Sequence, residues 1–113
     1  MLAIKNRLKK AKDFKAVKDY GQVYQSDNFW VSFRNRKDVE VPRFGFIIST
    51  KISKMAIHRN RVKRALSEGV RHSLTEAPKG FDVVFFVKKT IVRKVSDEIM
   101  KEAESALRKI NFR

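Results

Sequence analysis

The sequence predicts an α+β fold, a compact α/β sandwich in the order α-β-β-β-α-β-α, and three observations carry that prediction. Two short stretches alternate at period two, one apolar run is unbroken, and three longer stretches repeat apolar residues every three or four positions. The 113 residues fit one domain, 1–113, of a size that buries enough surface to need no covalent staple.

Leu8, Ala11, Phe14 and Val17 give the segment from Leu8 to Tyr20 the apolar edge of a short helix, and Gly21 stops it. A strand at Gln22–Tyr24 is only weakly signalled. In Asn28 to Arg34, Phe29, Val31 and Phe33 take one face of a strand while Trp30, Ser32 and Arg34 take the other. Phe44, Phe46 and Ile48 alternate with Gly45, Ile47 and Ser49 in the next strand. With Ser53 as N-cap, a helix is expected from about Lys54 to His72. Its apolar sector is Val62, Ala65, Leu66, Gly69 and Val70, with Asn60, Arg64, Ser67 and Arg71 opposite and Arg59 and Arg61 on the flanks. "FDVVFFVKK", from Phe81, has the length and composition of a central strand buried on both faces. Ser96 is the expected N-cap of the last helix, with Asp97 and Glu98 in its first turn and a Val95–Met100 staple. Ile99, Ala103, Leu107 and Ile110 form its core face, and Arg108 and Lys109 end it favourably for the helix dipole.

Charge narrows the function. The chain has 27 Lys and Arg against 12 Asp and Glu, a net +15, and such self-repulsion weakens the compact state unless a polyanion neutralises it. Between Arg59 and Arg64, four of six residues are cationic, although like charges one turn apart destabilise a helix. No acidic residue appears between Glu40 and Glu68, whereas a merely solvated face would mix Glu with Lys. These features point to nucleic acid. The basic residues are not confined to one amphipathic helix, which argues against a membrane-surface role. The chain has no cysteine, no apolar span and no signal-peptide pattern, so a cytoplasmic location is expected and disulfides are excluded.

Catalytic equipment is sparse. The two histidines, His58 and His72, lie near opposite ends of one predicted helix, too far apart to act as an acid–base pair. No carboxylate cluster suits two metal ions, and no phosphate loop or nucleophile elbow appears. The inventory suits binding.

The stretch "RFGFIISTKISKMAIHRNRVKRALSEGVR", Arg43 to Arg71, resembles the signature region of the protein subunit of bacterial ribonuclease P. A strand ending in Ser49-x-Lys51 is followed by Arg59-Asn60-Arg61-x-Lys63-Arg64 on a helix, and "NRLKKAKDFKAV" and "FDVVFFVKK" fit around it. The resemblance covers essentially the whole chain. It implies a mixed sheet with a left-handed strand–helix–strand crossover through the basic helix, against the general right-handed rule. It also implies a protein without an active site of its own, assisting a catalytic RNA that removes the 5′ leader of precursor tRNA. Magnesium (Mg2+) in the holoenzyme would be bound chiefly by RNA and none by protein side chains. Partners would be the catalytic RNA and precursor tRNA, with no membrane and no protein oligomer required.

Carried residue by residue, the resemblance places Arg59, Asn60, Arg61, Lys63, Arg64 and Arg71 against the catalytic RNA, where Arg forks onto phosphate oxygens and Asn reads a base edge or ribose. A separate cleft for the single-stranded leader would use Phe14, Lys18, Trp30, Ser32, Lys51 and Lys88, cations beside an aromatic platform. Three positions depart from the family pattern. Lys18 stands where a second aromatic is frequent, Thr50 replaces the first of a Lys pair, and Ser67 replaces a common Arg. The rival readings are a ribosomal or chaperone-like RNA-binding protein, then a helix-turn-helix DNA binder, disfavoured by the two strands before the basic helix, and last a stand-alone nuclease.

Overall fold

A computed structural model of the chain describes residues 2–112. A 3₁₀ turn at Ile4–Asn6 leads to helix α1 (Ala11–Tyr20) and strands β1 (Gln22–Gln25), β2 (Phe29–Asn35) and β3 (Arg43–Ile47). Helix α2 (Ala56–His72), strand β4 (Phe81–Val87) and helix α3 (Ser96–Lys109) follow. The sheet is mixed, in the order β1-β2-β4-β3. β2 runs antiparallel to β1 and β4, while β3 runs parallel to β4 and reaches it through α2.

The unbroken apolar run is the central strand, as its composition predicts. Its odd-numbered residues Phe81, Val83, Phe85 and Val87 join Phe29, Val31, Phe33 and Phe44 in the main core. Val62, Leu66 and Val70 of α2 and Ile99, Ala103 and Leu107 of α3 belong to the same core. The two helices also pack closely on each other. At Gly69 an added Cβ would lie 2.6 Å from the Met100 carbonyl oxygen, so only glycine permits that approach. Phe29 meets Phe85 edge-on at 5.2 Å, and Phe112 closes the far end against Phe33 and Phe81.

On the opposite face of the sheet, register sets Trp30 beside Phe86, Ser32 beside Val84 and Arg34 beside Asp82. α1 packs on β2 and β4 there. Val17 and Val84 become fully buried together with Leu8, and Phe14 and Phe86 border the cluster. Complete burial of a Val side chain stabilises by about 1.5–2 kcal/mol.

Several local expectations change, and one weak signal is met. α1 begins at Ala11 rather than Leu8, because Leu8 N–H donates to the Phe44 carbonyl (2.9 Å) beside a parallel bridge between Arg7 and Phe44. The weakly signalled strand does form; it is an edge with exposed Gln22, Val23 and Gln25, so it carries no alternation to read. α2 starts at Ala56, and Ser53 Oγ accepts from Met55 N–H (3.2 Å) in the turn before it instead of capping Lys54. Ser96 makes no side-chain cap bond, and Val95 is exposed, so the staple with Met100 is absent. Finally, Ser67 is buried although it sits on the polar arc of α2, because it shares a groove with Leu2, Arg7 and Leu8 of the N-terminal segment.

Asp82, only 1% exposed, is the polar knot of the fold. It accepts from Arg36 Nη1 (2.5 Å) and from Arg43 Nε and Nη2 (both 2.8 Å). Arg36 continues to the carbonyls of Phe81, Glu40 and Val41 and to Asp38, tying the β2–β3 loop to β4. These bonds hold the Asp38 carboxyl below its usual range, Arg36 being the largest cause. Removing the Asp82 carboxylate takes the shared buried counter-charge from both guanidinium groups and leaves only the more exposed Asp38 beside Arg36 and Asp13 beside Arg43. Asp82→Ala is therefore expected to destabilise by about 3 kcal/mol, the low end for breaking a buried pair, because Arg43 is partly solvated. Urea unfolding at neutral pH measures it, and a loss below about 1 kcal/mol would contradict a structural role for the pair.

Candidate nucleic-acid interface

The basic helix holds fewer available cations than its sequence suggests. Arg61 is turned onto the turn after β4, where Nη1 donates to the Lys94 carbonyl and Nη2 to the Val92 carbonyl, both at 2.9 Å. Arg59 Nη1 donates to the Ser53 carbonyl at 2.8 Å, closing the turn that precedes α2. Arg71 forks onto Glu68 at 2.7 and 3.1 Å and keeps the Glu68 carboxyl well below the usual carboxylate range, as the largest cause of that shift. These three guanidinium groups support the fold as well as contributing charge. Asn60, Lys63 and Arg64 are exposed, and among the described residues none of the three forms a hydrogen bond or ion pair.

The free groups diverge around the helix. Lys63 borders the groove beside the N-terminal segment. Arg64 borders a hollow of about 380 Å³ between α2 and the start of α3, with Arg61, Ser96 and Met100. The helix thus presents Asn60 and Arg64 toward one side and Lys63 toward another, a curved cationic surface rather than a single line.

The second surface lies on the outer face of the sheet, where α1 leaves the strands uncovered. A cleft of about 440 Å³ is lined by Phe14, Lys15, Lys18, Asp19, Ile47 and Phe86. Trp30 stacks on Phe86 with ring centroids 5.3 Å apart and planes 7° apart, and both are half-buried. Phe14 lies flat against β3 at Gly45, where an added Cβ would come within 2.3 Å of its ring. Lys18 is exposed; Lys15 is paired with Asp19 at 2.5 Å. The cleft offers aromatic faces with cations beside them.

The remaining expected cleft residues are placed unevenly. Ser32 is on the outer face but only 3% exposed, in the part of β2 that α1 covers, so it does not open onto the cleft. Lys88 is half-buried at the end of β4, with Nζ donating to the Ser26 carbonyl (2.8 Å). That turn is held in place by Glu102 of α3, which accepts from Ser26 Oγ, Asn28 N–H and Asn28 Nδ2. Lys51 is exposed in the turn after β3. Phe86, Ile47 and Lys15 line the cleft without having been singled out in the sequence. Phe86 was hidden in an unbroken apolar run, whose inward and outward phases only the pairing with β2 reveals.

The two histidines stand at opposite ends of α2 and do not face each other. His58 Nδ1 lies 3.4 Å from Ser53 Oγ, and His72 sits beside Glu68 and Glu104 at the other end of α2. Among the described residues no three His, Cys, Asp or Glu side chains gather as a possible metal set.

Comparison with known proteins identifies the family. The family model described as Ribonuclease P matches residues 2–111. The ribonuclease P protein component of Fusobacterium nucleatum is 32% identical over 105 residues, covering 93% of both chains. That of Clostridium botulinum is 35% identical over 103 residues, covering 90% of this chain and 87% of the relative. Among solved structures, the Thermotoga maritima RNase P protein in complex with 1-(4-fluorophenyl)-2-thiourea superposes with a TM-score of 0.82 at 28% identity, covering 93% of this chain and 100% of that one. The Staphylococcus aureus RNase P protein shares the fold, with a TM-score of 0.82 at 24% identity over 90% of this chain and 92% of that one. With a family model spanning nearly the whole sequence and relatives above 30% identity over most of it, the chain belongs to the ribonuclease P protein family.

Proposed function

We propose that this chain is the protein subunit of a cytoplasmic ribonuclease P ribonucleoprotein, which docks on the catalytic RNA through α2 and holds the 5′ leader of precursor tRNA in the cleft between α1 and the sheet. The observation that carries the reading is the presence of two chemically different surfaces on one small fold. One is cationic and almost without aromatics; the other is an aromatic platform with lysines at its rim. Phosphates of a folded RNA suit the first, and the unstacked bases of a single strand suit the second.

On the docking surface Arg64 and Lys63 neutralise phosphate, while Asn60 donates to and accepts from a base edge or ribose. Arg59 and Arg61 set the pitch and position of the helix through the carbonyls they hold. On the leader surface Phe14, Trp30 and Phe86 stack bases without demanding a sequence, and Lys18, Lys51 and Lys88 attract the backbone. Magnesium, held chiefly by RNA, would supply the Lewis-acid chemistry of hydrolysis. Among the described residues no helix is long and apolar enough to cross a membrane.

Three outcomes are expected. Purified protein alone leaves precursor tRNA intact with any divalent metal; RNA-free cleavage that a single side-chain substitution abolishes would sink the assignment.

Binding to the catalytic RNA falls steeply with salt. For about six neutralised phosphates, the log–log slope approaches roughly −4 to −5. A nearly flat dependence would make the charge incidental.

The two surfaces also separate by mutation. Arg64→Ala weakens assembly by up to about 1.5 kcal/mol, a charge-assisted bond reduced by solvent screening, yet leaves leader dependence near normal once excess protein restores the complex. Phe14→Ala spares assembly and shrinks the preference for precursor over mature tRNA, since stacking one base is worth about 1–3 kcal/mol. Affinity for the RNA, and for precursors of graded leader length, is measured for each variant. If Arg64→Ala abolishes leader sensing while sparing assembly, the two faces are exchanged.

A further inference from the structure

Phe14 borders a second groove as well, about 310 Å³ in volume, between the N-terminal segment, β3 and α2. Gly45 and Phe46 form its floor, and Arg7, Lys9 and Lys63 its rim. No carboxylate lines it, whereas Asp19 lines the cleft beside α1 and Asp97 the hollow beside α3. Lys9 and Lys63 are exposed and, among the described residues, take no hydrogen bond or ion pair. Arg7 is fixed at the rim by its Nε bond to the Leu2 carbonyl (2.8 Å).

The floor has a second feature. β3 is an edge strand, and the N-terminal segment bridges it at Arg7–Phe44 before turning away into α1. Among the described residues the edge at Phe46 has no strand partner. Aromatic surface, unpaired strand edge and three cations converge on a space at the lower end of small-ligand sites, which suits a nucleotide rather than a folded element.

Position identifies the occupant. The groove shares Phe14 with the aromatic cleft and Lys63 with the basic helix. If the cleft takes the leader and the helix takes the catalytic RNA, the leader must cross the ground between the scissile bond and the cleft. We infer that this groove is that crossing: it holds a leader nucleotide between the cleavage site and the cleft, with the base against Phe14 at the edge of β3 and the phosphates on Lys9, Lys63 and Arg7. The inference rests on the function proposed above, and it makes Lys9 a leader-binding residue.

The test uses the holoenzyme reconstituted from catalytic RNA and full-length protein. Its substrates are precursor tRNAs of graded leader length, each with one 4-thiouridine in the leader. Lys9→Ala is expected to weaken precursor binding about fivefold to tenfold and to reduce the salt slope by about 0.7, the loss of one phosphate contact on a single strand. Lys9→Arg restores both, and mature tRNA binding and assembly with the catalytic RNA do not change. Thiouridines nearest the cleavage site cross-link to residues 2–9 or to Lys63, and more distal ones to Lys18, Trp30 or Phe86. Cross-links confined to the α1 cleft at every leader position, with Lys9→Ala indistinguishable from the parent, overturn the inference and leave the proposed function standing. Weakened assembly of Lys9→Ala with the catalytic RNA in the absence of precursor also overturns it, because the groove then belongs to the catalyst. Loss of any preference for precursor by the unmutated holoenzyme overturns both readings.

Discussion

A strand that is apolar on both faces has to be shielded from water twice, and β4 is such a strand, held between β2 and β3 with Val83, Val84 and Phe85 fully buried. The chain answers with two layers of unequal size. α2 and α3, 17 and 14 residues long, cover one face, while α1, with 10, covers the other. The shorter helix reaches Val84 but leaves Phe86, Trp30 and Ile47 partly open. The cleft is therefore a consequence of how β4 is covered. The same constraint sends the chain from β3 to β4 through α2, which carries the cationic residues to the opposite side of the sheet. Two chemically different surfaces follow from one strand.

Charge in this protein has two uses, and the structure divides them. Arg36 and Arg43 converge on Asp82 inside the fold, Arg61 holds the carbonyls of Val92 and Lys94, and Arg59 holds Ser53. A guanidinium suits these tasks because its planar fork donates to several oxygens at once without losing its charge. Among the described residues, Lys9, Lys18, Lys51 and Lys63 are exposed and take no hydrogen bond or ion pair. A flexible ammonium on an exposed stem adapts to phosphates whose positions vary along a single strand. The net +15 overstates the unpaired charge, and among the described residues unpaired cations stand beside α2, on the N-terminal segment and at the rim of the cleft.

What the sequence made legible was what periodicity and local chemistry encode. The alternation of Phe29, Val31 and Phe33, the apolar sector of α2 and the core face of α3 all appear where their spacing puts them. Long-range pairing was illegible. Ser67 looks exposed on a helical wheel, and only the N-terminal segment lying beside α2 buries it. The partners of Arg61 are more than 30 positions away, and those of Asp82 about 40 or more, so neither pairing leaves a local signature. Phe86 shows the same limit at the candidate site: its outward phase depends on the register with Trp30. The motif on α2 identified the family, yet it did not show which of its arginines are occupied by carbonyls.

Gly45 is a strand position that local preference does not explain, but packing does. Glycine inside a strand costs roughly 0.5–1 kcal/mol through backbone entropy and offers no side chain to pack. The local rule favours a β-branched residue there, but any Cβ would strike the ring of Phe14. With glycine, the ring lies against the strand and borders both the cleft and the groove beside α2. A larger residue would displace the ring of Phe14 and change the shape of both spaces that it borders. At Gly69 a like departure lets two helices approach; at Gly45 it makes room for the ring of Phe14. Phe14 and Gly45 therefore act as one unit, and the shape of the two spaces depends on an absent side chain as much as on the aromatic one that is present.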